Sequence, residues 1–324
     1  MRTLLLLLLI AACTPLTIPA GPPTTIPQFS GDALITADGL SLPLNIYAAN
    51  KPLAVIVALH GFNDYAAHFD SAGAFWAEQG ITTLAYDQRG FGRGPNRGYW
   101  GGSDAMIDDA RAAVRLARRQ YPGLPVYLLG ASMGAAVAMA AADEGQKLPL
   151  DGLILVAPAL WGWKETNDLY AGTLWITAHL APGWTLTGSE LNRIATDNLD
   201  FLRRMFADPN VIKGTRVDAI YGLVSMMARG SQAAPDLDLP TLILFGSSDE
   251  IVPEEPVKHA AAEVTGPCRF VYYQSGYHML LVDLSAQRVW REIADFVLGR
   301  VKPAQAGCSE TVVPPPEIKV RSFR

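Results

Sequence analysis

Residues 126–138 (Val-Tyr-Leu-Leu-Gly-Ala-Ser-Met-Gly-Ala-Ala-Val-Ala) join a short apolar run to an alanine-rich stretch. The run 126–129 has the length and composition of a buried strand, and the alanines favour a helix from residue 133 onward. Ser132 lies between them with a glycine two positions away on either side, as a sharp strand-to-helix turn that exposes a hydroxyl requires. The stretch therefore predicts a serine nucleophile at a helix N-terminus, which favours developing negative charge.

A serine hydroxyl is a weak nucleophile, so this prediction also requires a base and a third group that orients the base. Asp249 follows the apolar run 241–245, and His278 follows the run 269–273. Histidine titrates near neutral pH, and a carboxylate can fix its tautomer and stabilise the imidazolium. We therefore predict that Ser132, His278 and Asp249 are the nucleophile, the base and the orienting acid.

Several other residues compete for these roles. Glu250 is adjacent to Asp249, but neighbouring residues at a strand end point in different directions, so only one should face the site. Asp283 is expected to cap the final helix. His60 lies in a glycine turn, where a structural role is expected. The histidines without any surrounding motif are His68, His179 and His259.

Ester cleavage passes through a tetrahedral oxyanion, which needs preorganised hydrogen-bond donors. One donor should be the backbone N–H of Met133, the residue after the nucleophile. The second should come from the loop that follows the run 53–59, which begins His60-Gly61-Phe62. We predict the backbone N–H of Phe62, because the N–H after His-Gly faces the same crevice.

Hydrophobic runs of strand length alternate with helical patterns along most of the chain. This alternation predicts an α/β fold with a mostly parallel central sheet flanked by helices. A looser alternation over residues 33–47, around Asp38-Gly39, predicts an antiparallel hairpin. The predicted buried strands are 53–59, 81–86, 126–129, 152–157, 241–245 and 269–273, and the predicted helices are 66–79, 103–120, 133–143, 254–264 and 284–298.

Residues 161–238 break this alternation, since they contain amphipathic helix patterns and no convincing strand. At nearly 80 residues the segment is too long for an ordinary crossover, so we predict a helical cap inserted into a core of 31–160 and 239–300. The tail 301–324 contains three consecutive prolines and is expected to be poorly ordered. The large apolar residues of the cap either line an acyl slot or simply hold the cap to the core: they are Trp161, Trp163, Trp175, Trp184, Met205, Met226 and Met227.

The N-terminus indicates export. Arg2 is followed by an apolar run that ends at Cys13, which is too short to cross a bilayer and is typical of a secretory signal. Residues 10–13 (Ile-Ala-Ala-Cys) resemble the lipobox of bacterial lipoproteins, so we predict a signal peptide over 1–12 and lipidation of Cys13. Plain secretion with an incidental cysteine is the alternative. Residues 13–30 are rich in Pro and Thr and predict an extended tether to the membrane of the bacterial cell envelope.

Composition bounds the remaining possibilities. The 324 residues carry 26 Lys and Arg against 31 Asp and Glu, a net charge of −5, which makes a nucleic-acid partner improbable. Half of the residues are apolar, which excludes a disordered or collagen-like chain. No clustered Cys/His spacing indicates a metal site. In an oxidising compartment Cys268 and Cys308 could form a disulfide or remain free thiols, and the sequence leaves both open.

Taken together, the motifs resemble those of serine α/β-hydrolases of the monoacylglycerol lipase and lysophospholipase group, which includes the serine aminopeptidase S33-like proteins. The resemblance implies an α/β-hydrolase fold with a cap, no cofactor, and hydrolysis of esters that bear one acyl chain. Many members have a serine where this chain has Gly94, and many lipases of the group have Gly-Glu-His where this chain has Asn63-Asp64-Tyr65. The matching motifs are His60-Gly61-Phe62, Asp87-Gln88-Arg89-Gly90-Phe91-Gly92, Gly130-Ala131-Ser132-Met133-Gly134, Gly246-Ser247-Ser248-Asp249 and Gly276-Tyr277-His278.

Three functions are compatible with these features. The first is an exported, membrane-anchored carboxylic ester hydrolase that acts on monoacylglycerols or lysophospholipids through an acyl-enzyme. The second is an S33-type aminopeptidase, which would need a cap acid such as Glu165, Asp168 or Glu190 to hold a substrate amine. The third is a non-catalytic surface lipoprotein on a hydrolase fold, which has no need of an intact triad. Dehalogenase chemistry is disfavoured because Ser132 stands where that chemistry uses an aspartate.

Overall fold

A ten-stranded sheet runs through the centre of the computed structural model, which describes residues 14–143, 148–188 and 193–316. Its strands are, in chain order, β1 (Gln28–Ser30), β2 (Ala33–Ile35), β3 (Ser41–Tyr47), β4 (Ala54–Leu59), β5 (Ile81–Tyr86), β6 (Val126–Ala131), β7 (Gly152–Val156), β10 (Thr241–Gly246), β11 (Pro267–Tyr273) and β12 (Gly307–Val313).

The spatial order of these strands is β1-β2-β3-β5-β4-β6-β7-β10-β11-β12. The pairs from β1 to β5 are antiparallel, and all pairs from β5 to β12 are parallel. Every residue of β4, β5, β7 and β10 is buried, as expected for parallel strands that are covered on both faces. The predicted mostly parallel sheet and the hairpin formed by β2 and β3 are confirmed.

Helices cover both faces of the sheet. One apolar cluster packs α2 (Ser103–Gln120), α3 (Met133–Asp143) and α7 (Glu254–Glu263) against one face, and a second packs α1 (Asp70–Glu78) and α8 (Ala286–Val297) against the other. Every residue from Met133 to Ala141 in α3 is buried, which explains the small side chains of that helix.

The segment between the neighbouring strands β7 and β10 contains the predicted helices of the cap. They are α4 (Asp168–Leu180), α5 (Leu199–Ala207) and α6 (Val217–Gln232). It also contains a small antiparallel sheet of β8 (Thr185–Thr187) and β9 (Gly214–Arg216), so the expectation of no strand was wrong. Strands of three residues are too short to show a periodic pattern in the sequence.

The C-terminal residues differ from the sequence-based expectation. Residues 307–313 were expected to belong to a poorly ordered tail, but they form β12, which pairs in parallel with β11. Cys268 and Cys308 face each other in this register and form a disulfide, with their Cα atoms 4.2 Å apart. The cross-strand link and the backbone pairing together explain why a polar strand is held at this edge.

Residues 14–27 of the predicted tether form no helix or strand beyond one bridge from Thr17 to Trp100, and they are bound to the body rather than free. The N–H of Ile18 donates to Trp100 O at 2.9 Å, and the N–H of Gly21 donates to an Asp38 carboxylate oxygen at 3.0 Å. The predicted signal peptide and the predicted lipidation site Cys13 lie outside the described residues. Within the described ranges, no helix has the length and apolar character needed to cross a bilayer.

Candidate active site

Ser132 lies at the turn from β6 into α3 with φ of 53°, a left-handed conformation that is strained for a residue with a side chain. The flanking glycines are required by packing. A Cβ on Gly130 would lie 2.2 Å from Gly134 O, and a Cβ on Gly134 would lie 2.2 Å from Leu59 O. The close approach of β4, β6 and α3 thus presents the serine hydroxyl at the carboxyl edge of the sheet.

The structure brings the three predicted residues together. His278 Nε2 lies 3.2 Å from Ser132 Oγ, and His278 Nδ1 lies 2.8 Å from Asp249 Oδ2. The Asp249 side chain is 0% exposed and that of His278 is 12% exposed. Asp249 follows β10 and His278 follows β11, which are neighbouring parallel strands, so their loops open at the same edge as Ser132.

The hydrogen bonds of Asp249 indicate which atoms of Asp249, His278 and Ser132 donate and which accept. Its Oδ1 accepts the backbone N–H groups of Ile251 and Val252, each at 2.8 Å. These donors stabilise the ionised carboxylate, which can only accept, so Nδ1 of His278 carries the proton in that bond. In the neutral ring with its proton on Nδ1, Nε2 carries no proton and can accept that of Ser132.

Glu250 does not compete for this position. Its carboxylate accepts the N–H of Ile194 at 2.9 Å and its side chain is exposed. Of the two adjacent acids, only Asp249 faces His278, as the sequence predicted.

The loop that begins at His60 passes beside the serine. A Cβ on Gly61 would lie 3.4 Å from Ser132 Cβ. Met133 is the first residue of α3, where a backbone N–H has no partner inside the helix. Among the described residues, neither the N–H of Phe62 nor that of Met133 donates to a protein acceptor. Both predicted oxyanion donors are therefore unengaged near the hydroxyl.

His60 has the structural role that its position predicted. It is fully buried, and burial lowers its pKa, so the ring is neutral. Nε2 accepts the N–H of Gln88 at 2.8 Å, and Nδ1–H donates to Gly61 O at 2.8 Å. Because Gly61 O and the N–H of Phe62 belong to one peptide plane, the second bond also sets the direction of that N–H.

The motif at residues 87–92 braces this loop and its neighbours. One oxygen of Asp87 accepts the N–H of Ala66 at 3.0 Å, and the other accepts the Arg93 guanidinium at 2.9 Å. The Arg89 guanidinium lies between the carboxylates of Asp38 and Asp109, at 2.7 Å and 2.5 Å. These contacts give Asp87 and Arg89 of the motif a structural role.

The prediction that Asp283 caps the final helix was wrong. Its Oδ1 accepts the hydroxyl of Thr196 at 2.6 Å, and its Oδ2 accepts the N–H of Tyr277 at 2.9 Å. Helix α8 instead begins after Ser285. Burial raises the pKa of Asp283 to about 6, and the two donors partly offset this effect. Asp283 thus links the loop that carries His278 to Thr196 of the cap. No local sequence pattern indicates this arrangement.

Two cap methionines, Met226 and Met227, were expected either to line an acyl slot or to hold the cap to the core. Met226 and Met227 of α6 are 0% and 1% exposed and belong to the apolar cluster around α3. They therefore hold the cap to the core instead of lining an open slot. Trp161 and Trp163 pack partly against the same cluster, whereas the cap exposes other large apolar side chains: Leu169, Tyr170, Trp175, Ile176, Leu180, Trp184 and Phe206.

Of the three acids named for an amine-binding role, the two that the structure describes make no hydrogen bond to a triad residue. Glu165 accepts the N–H of Gly162 at 2.8 Å, and Asp168 is exposed at the start of α4. The third, Glu190, lies outside the described residues.

Comparison with known proteins identifies the family of this chain. Residues 50–285 match the Hydrolase_4 family model, described as serine aminopeptidase, S33. Over 300 aligned residues the chain is 26% identical to the monoglyceride lipase of Mus musculus, and the alignment covers 90% of this chain and 97% of that protein.

Two solved structures share the fold. The monoglyceride lipase of Saccharomyces cerevisiae, solved as a soluble variant with a substrate analogue, superposes with a TM-score of 0.69 at 17% identity and covers 87% of this chain and 100% of its own. A thermostable carboxyl esterase of Bacillus coagulans, in complex with glycerol, gives a TM-score of 0.69 at 21% identity and covers 85% of this chain and 99% of its own. With the family model matched over most of its length, the chain belongs to the serine aminopeptidase S33 family of α/β-hydrolases, in the group that includes the monoglyceride lipases.

Proposed function

We propose that this protein hydrolyses carboxylic esters that bear one acyl chain, of the monoacylglycerol or lysophospholipid type. The observation that carries the proposal is the hydrogen-bonded series from Ser132 through His278 to Asp249 at the carboxyl edge of the sheet. Its similarity over nearly its whole length to a monoglyceride lipase supports an acyl ester as the substrate.

The first half-reaction forms an acyl-enzyme. Ser132 Oγ attacks the ester carbonyl carbon while His278 Nε2 takes the hydroxyl proton. The carbonyl oxygen becomes an oxyanion that accepts the N–H groups of Phe62 and Met133, and Asp249 stabilises the imidazolium. The carbon–oxygen bond to the alcohol then breaks, and His278 returns its proton to the departing alcohol.

The second half-reaction releases the acid. His278 takes a proton from a water molecule, whose oxygen attacks the acyl carbon and again forms an oxyanion in the same site. The bond to Ser132 Oγ breaks, the serine regains its proton from His278, and the fatty acid leaves. No metal or organic cofactor enters these steps.

A panel of substrates tests this proposal against its alternatives. The purified full-length chain in detergent is assayed with monoacylglycerols, lysophospholipids and aminoacyl amides of graded size. Release of fatty acid supports the ester hydrolase, and the chain-length profile identifies the preferred acyl group. Cleavage of the amides without a preference for esters would favour the S33-type aminopeptidase. Binding without any turnover would favour a non-catalytic surface lipoprotein.

We propose further that the protein is exported and anchored in the bacterial cell envelope through lipid on Cys13. The apolar residues before Cys13 and the Pro/Thr-rich residues after it support this location. The Cys268–Cys308 disulfide suits an oxidising compartment. Labelling of cells with a clickable fatty acid should tag the wild-type chain and not Cys13→Ser. Equal labelling of both chains would refute lipidation at this residue.

A further inference from the structure

The loop that carries the Phe62 donor is fastened to the cap as well as to the core. We define the anchor segment as residues 208–215, which connect α5 to β9 and enter β9. The side-chain amide of Asn63 donates to Thr215 Oγ1 at 2.7 Å, and the N–H of Ile212 donates to Asn63 O at 2.9 Å. The side-chain NH2 and the backbone carbonyl of Asn63 therefore both point to the cap.

Tyr65 adds a third bond to the same segment. Its hydroxyl donates to Asp208 Oδ2 at 2.6 Å. Burial and this bond raise the pKa of Tyr65 to about 12, so the hydroxyl keeps its proton and remains a donor. Asp208 in turn accepts the N–H of Asn210 at 2.8 Å, which shapes the anchor segment itself.

The backbone of Asn63 has φ of 64°, a left-handed conformation that asparagine tolerates better than most residues. This turn directly follows Phe62, whose peptide plane is held on the core side by His60. The N–H of Phe62 is thus held between a core contact on one side and a cap contact on the other. A shift of the anchor segment would be transmitted to that N–H through Asn63.

We propose that Asn63, Thr215 and Tyr65 are positioning residues that make the geometry of the oxyanion site depend on the position of the cap relative to the core. This inference rests on the proposed function, since it assigns Phe62 N–H to the oxyanion. It also gives a role to Asn63 and Tyr65 of the Asn63-Asp64-Tyr65 sequence, where lipases of the group often have Gly-Glu-His. An asparagine at residue 63 supplies the side-chain bond to the cap that a glycine lacks.

A double-mutant cycle tests the link. Asn63→Gly keeps the left-handed turn and removes the amide, and Thr215→Val removes the acceptor. Each should lower kcat by about tenfold with little change in KM, because the oxyanion contact strengthens only in the transition state and a misplaced donor is costly. The double variant should be no worse than either single variant, because both remove the same bond.

Matched variants separate this effect from a general weakening of the cap. Thr215→Ser keeps a hydroxyl and should recover most of the lost kcat. Thr173→Val removes a cap hydroxyl that donates to Leu169 O within α4, at 2.7 Å, and should leave kcat unchanged. Tyr65→Phe keeps the ring, removes only the bond to Asp208 and should lower kcat several-fold without unfolding the chain.

The measurements are made on the full-length chain in detergent with a soluble short-chain ester, beside the unfolding midpoint of every variant. Wild-type kcat in Asn63→Gly, Thr215→Val and Tyr65→Phe would overturn the inference. So would losses that multiply in the double variant, because they would show two independent effects. A wild-type chain that turns over no ester would instead refute the proposed function.

Discussion

At the scale of single residues, the account depends on which atoms of the triad can give and take a proton. Asp249 accepts two backbone N–H groups on one oxygen and His278 on the other, so it is held as an ionised acceptor. That arrangement leaves the Nε2 of His278 to face Ser132. The spacing of motifs in the sequence predicted these three residues because each follows a buried strand.

Asp249→Asn should lower kcat by about 10⁴-fold and leave the fold intact, because an amide in place of the carboxylate favours the wrong tautomer of His278. Steady-state kinetics with a monoacylglycerol measure the effect. Glu250→Gln is the matched control, since that exposed side chain keeps an acceptor oxygen for the N–H of Ile194. An equal loss in both variants would refute the assignment of Asp249.

Asp283 gives a prediction for stability. Burial raises its pKa from 3.8 to about 6, so the folded state binds the proton more tightly than the unfolded state does. The contribution to stability is therefore present below about pH 4 and is lost as the pH rises through 6. Relative to Asp283→Asn, the wild-type free energy of unfolding should fall by about 3 kcal/mol over this window.

Urea unfolding of both chains at several pH values between 3.5 and 7 measures this difference. The comparison cancels the contribution of other groups, including Asp109, whose pKa burial also raises to about 6. A difference between the two chains that does not change with pH would contradict the burial of an ionisable Asp283.

At the scale of elements, helix α3 and the cap helix α6 pack closely against each other beside the site. A Cβ on Gly230 of α6 would lie 2.6 Å from Ala136 Cα of α3. Gly230→Ala should therefore force the helices apart and destabilise the fold by about 1–3 kcal/mol, despite the better helix propensity of alanine.

Gly172→Ala is the control, because Gly172 lies within α4 and a Cβ there meets nothing within 4 Å. It should be neutral or stabilising by up to about 1 kcal/mol. Thermal unfolding compares the two variants. If Gly230→Ala were as stable as Gly172→Ala, the close packing of α6 on α3 would be contradicted.

The elements also show what a sequence can and cannot reveal. The core strands could be predicted because their residues are apolar on both faces. Strand β12 could not, since Gly-Cys-Ser-Glu-Thr-Val-Val has no apolar run and depends on pairing with β11. The bond from Asn63 to Thr215 spans 152 positions, and that from Thr196 to Asp283 spans 87, so neither leaves a local pattern.

At the scale of the whole molecule, the disulfide links the edge strand β12 to its neighbour β11. Cys268 and Cys308 are 40 residues apart in sequence, and loop entropy predicts a stabilisation of about 4 kcal/mol from the link. The double variant Cys268→Ala/Cys308→Ser should lose about that much stability and keep its activity at 25 °C, because both cysteines lie near the N-terminal ends of β11 and β12, whereas the triad lies at the carboxyl edge of the sheet.

Denaturant unfolding of the wild type with and without reductant, and of the double variant, checks this prediction. Reductant should lower the midpoint of the wild type and leave that of the double variant unchanged. Thiol titration checks that the reductant has reduced the disulfide. If the wild-type midpoint then stays unchanged, a contribution of the disulfide to stability would be contradicted.

The central claim is that Ser132 is the nucleophile of an ester hydrolase, and fatty-acid release from a monoacylglycerol tests it most directly. The full-length wild type and Ser132→Ala are assayed side by side at equal concentration. We predict release by the wild type and a loss of at least about 10⁴-fold in kcat for Ser132→Ala with the same unfolding midpoint. Comparable release by both chains would contradict the claim.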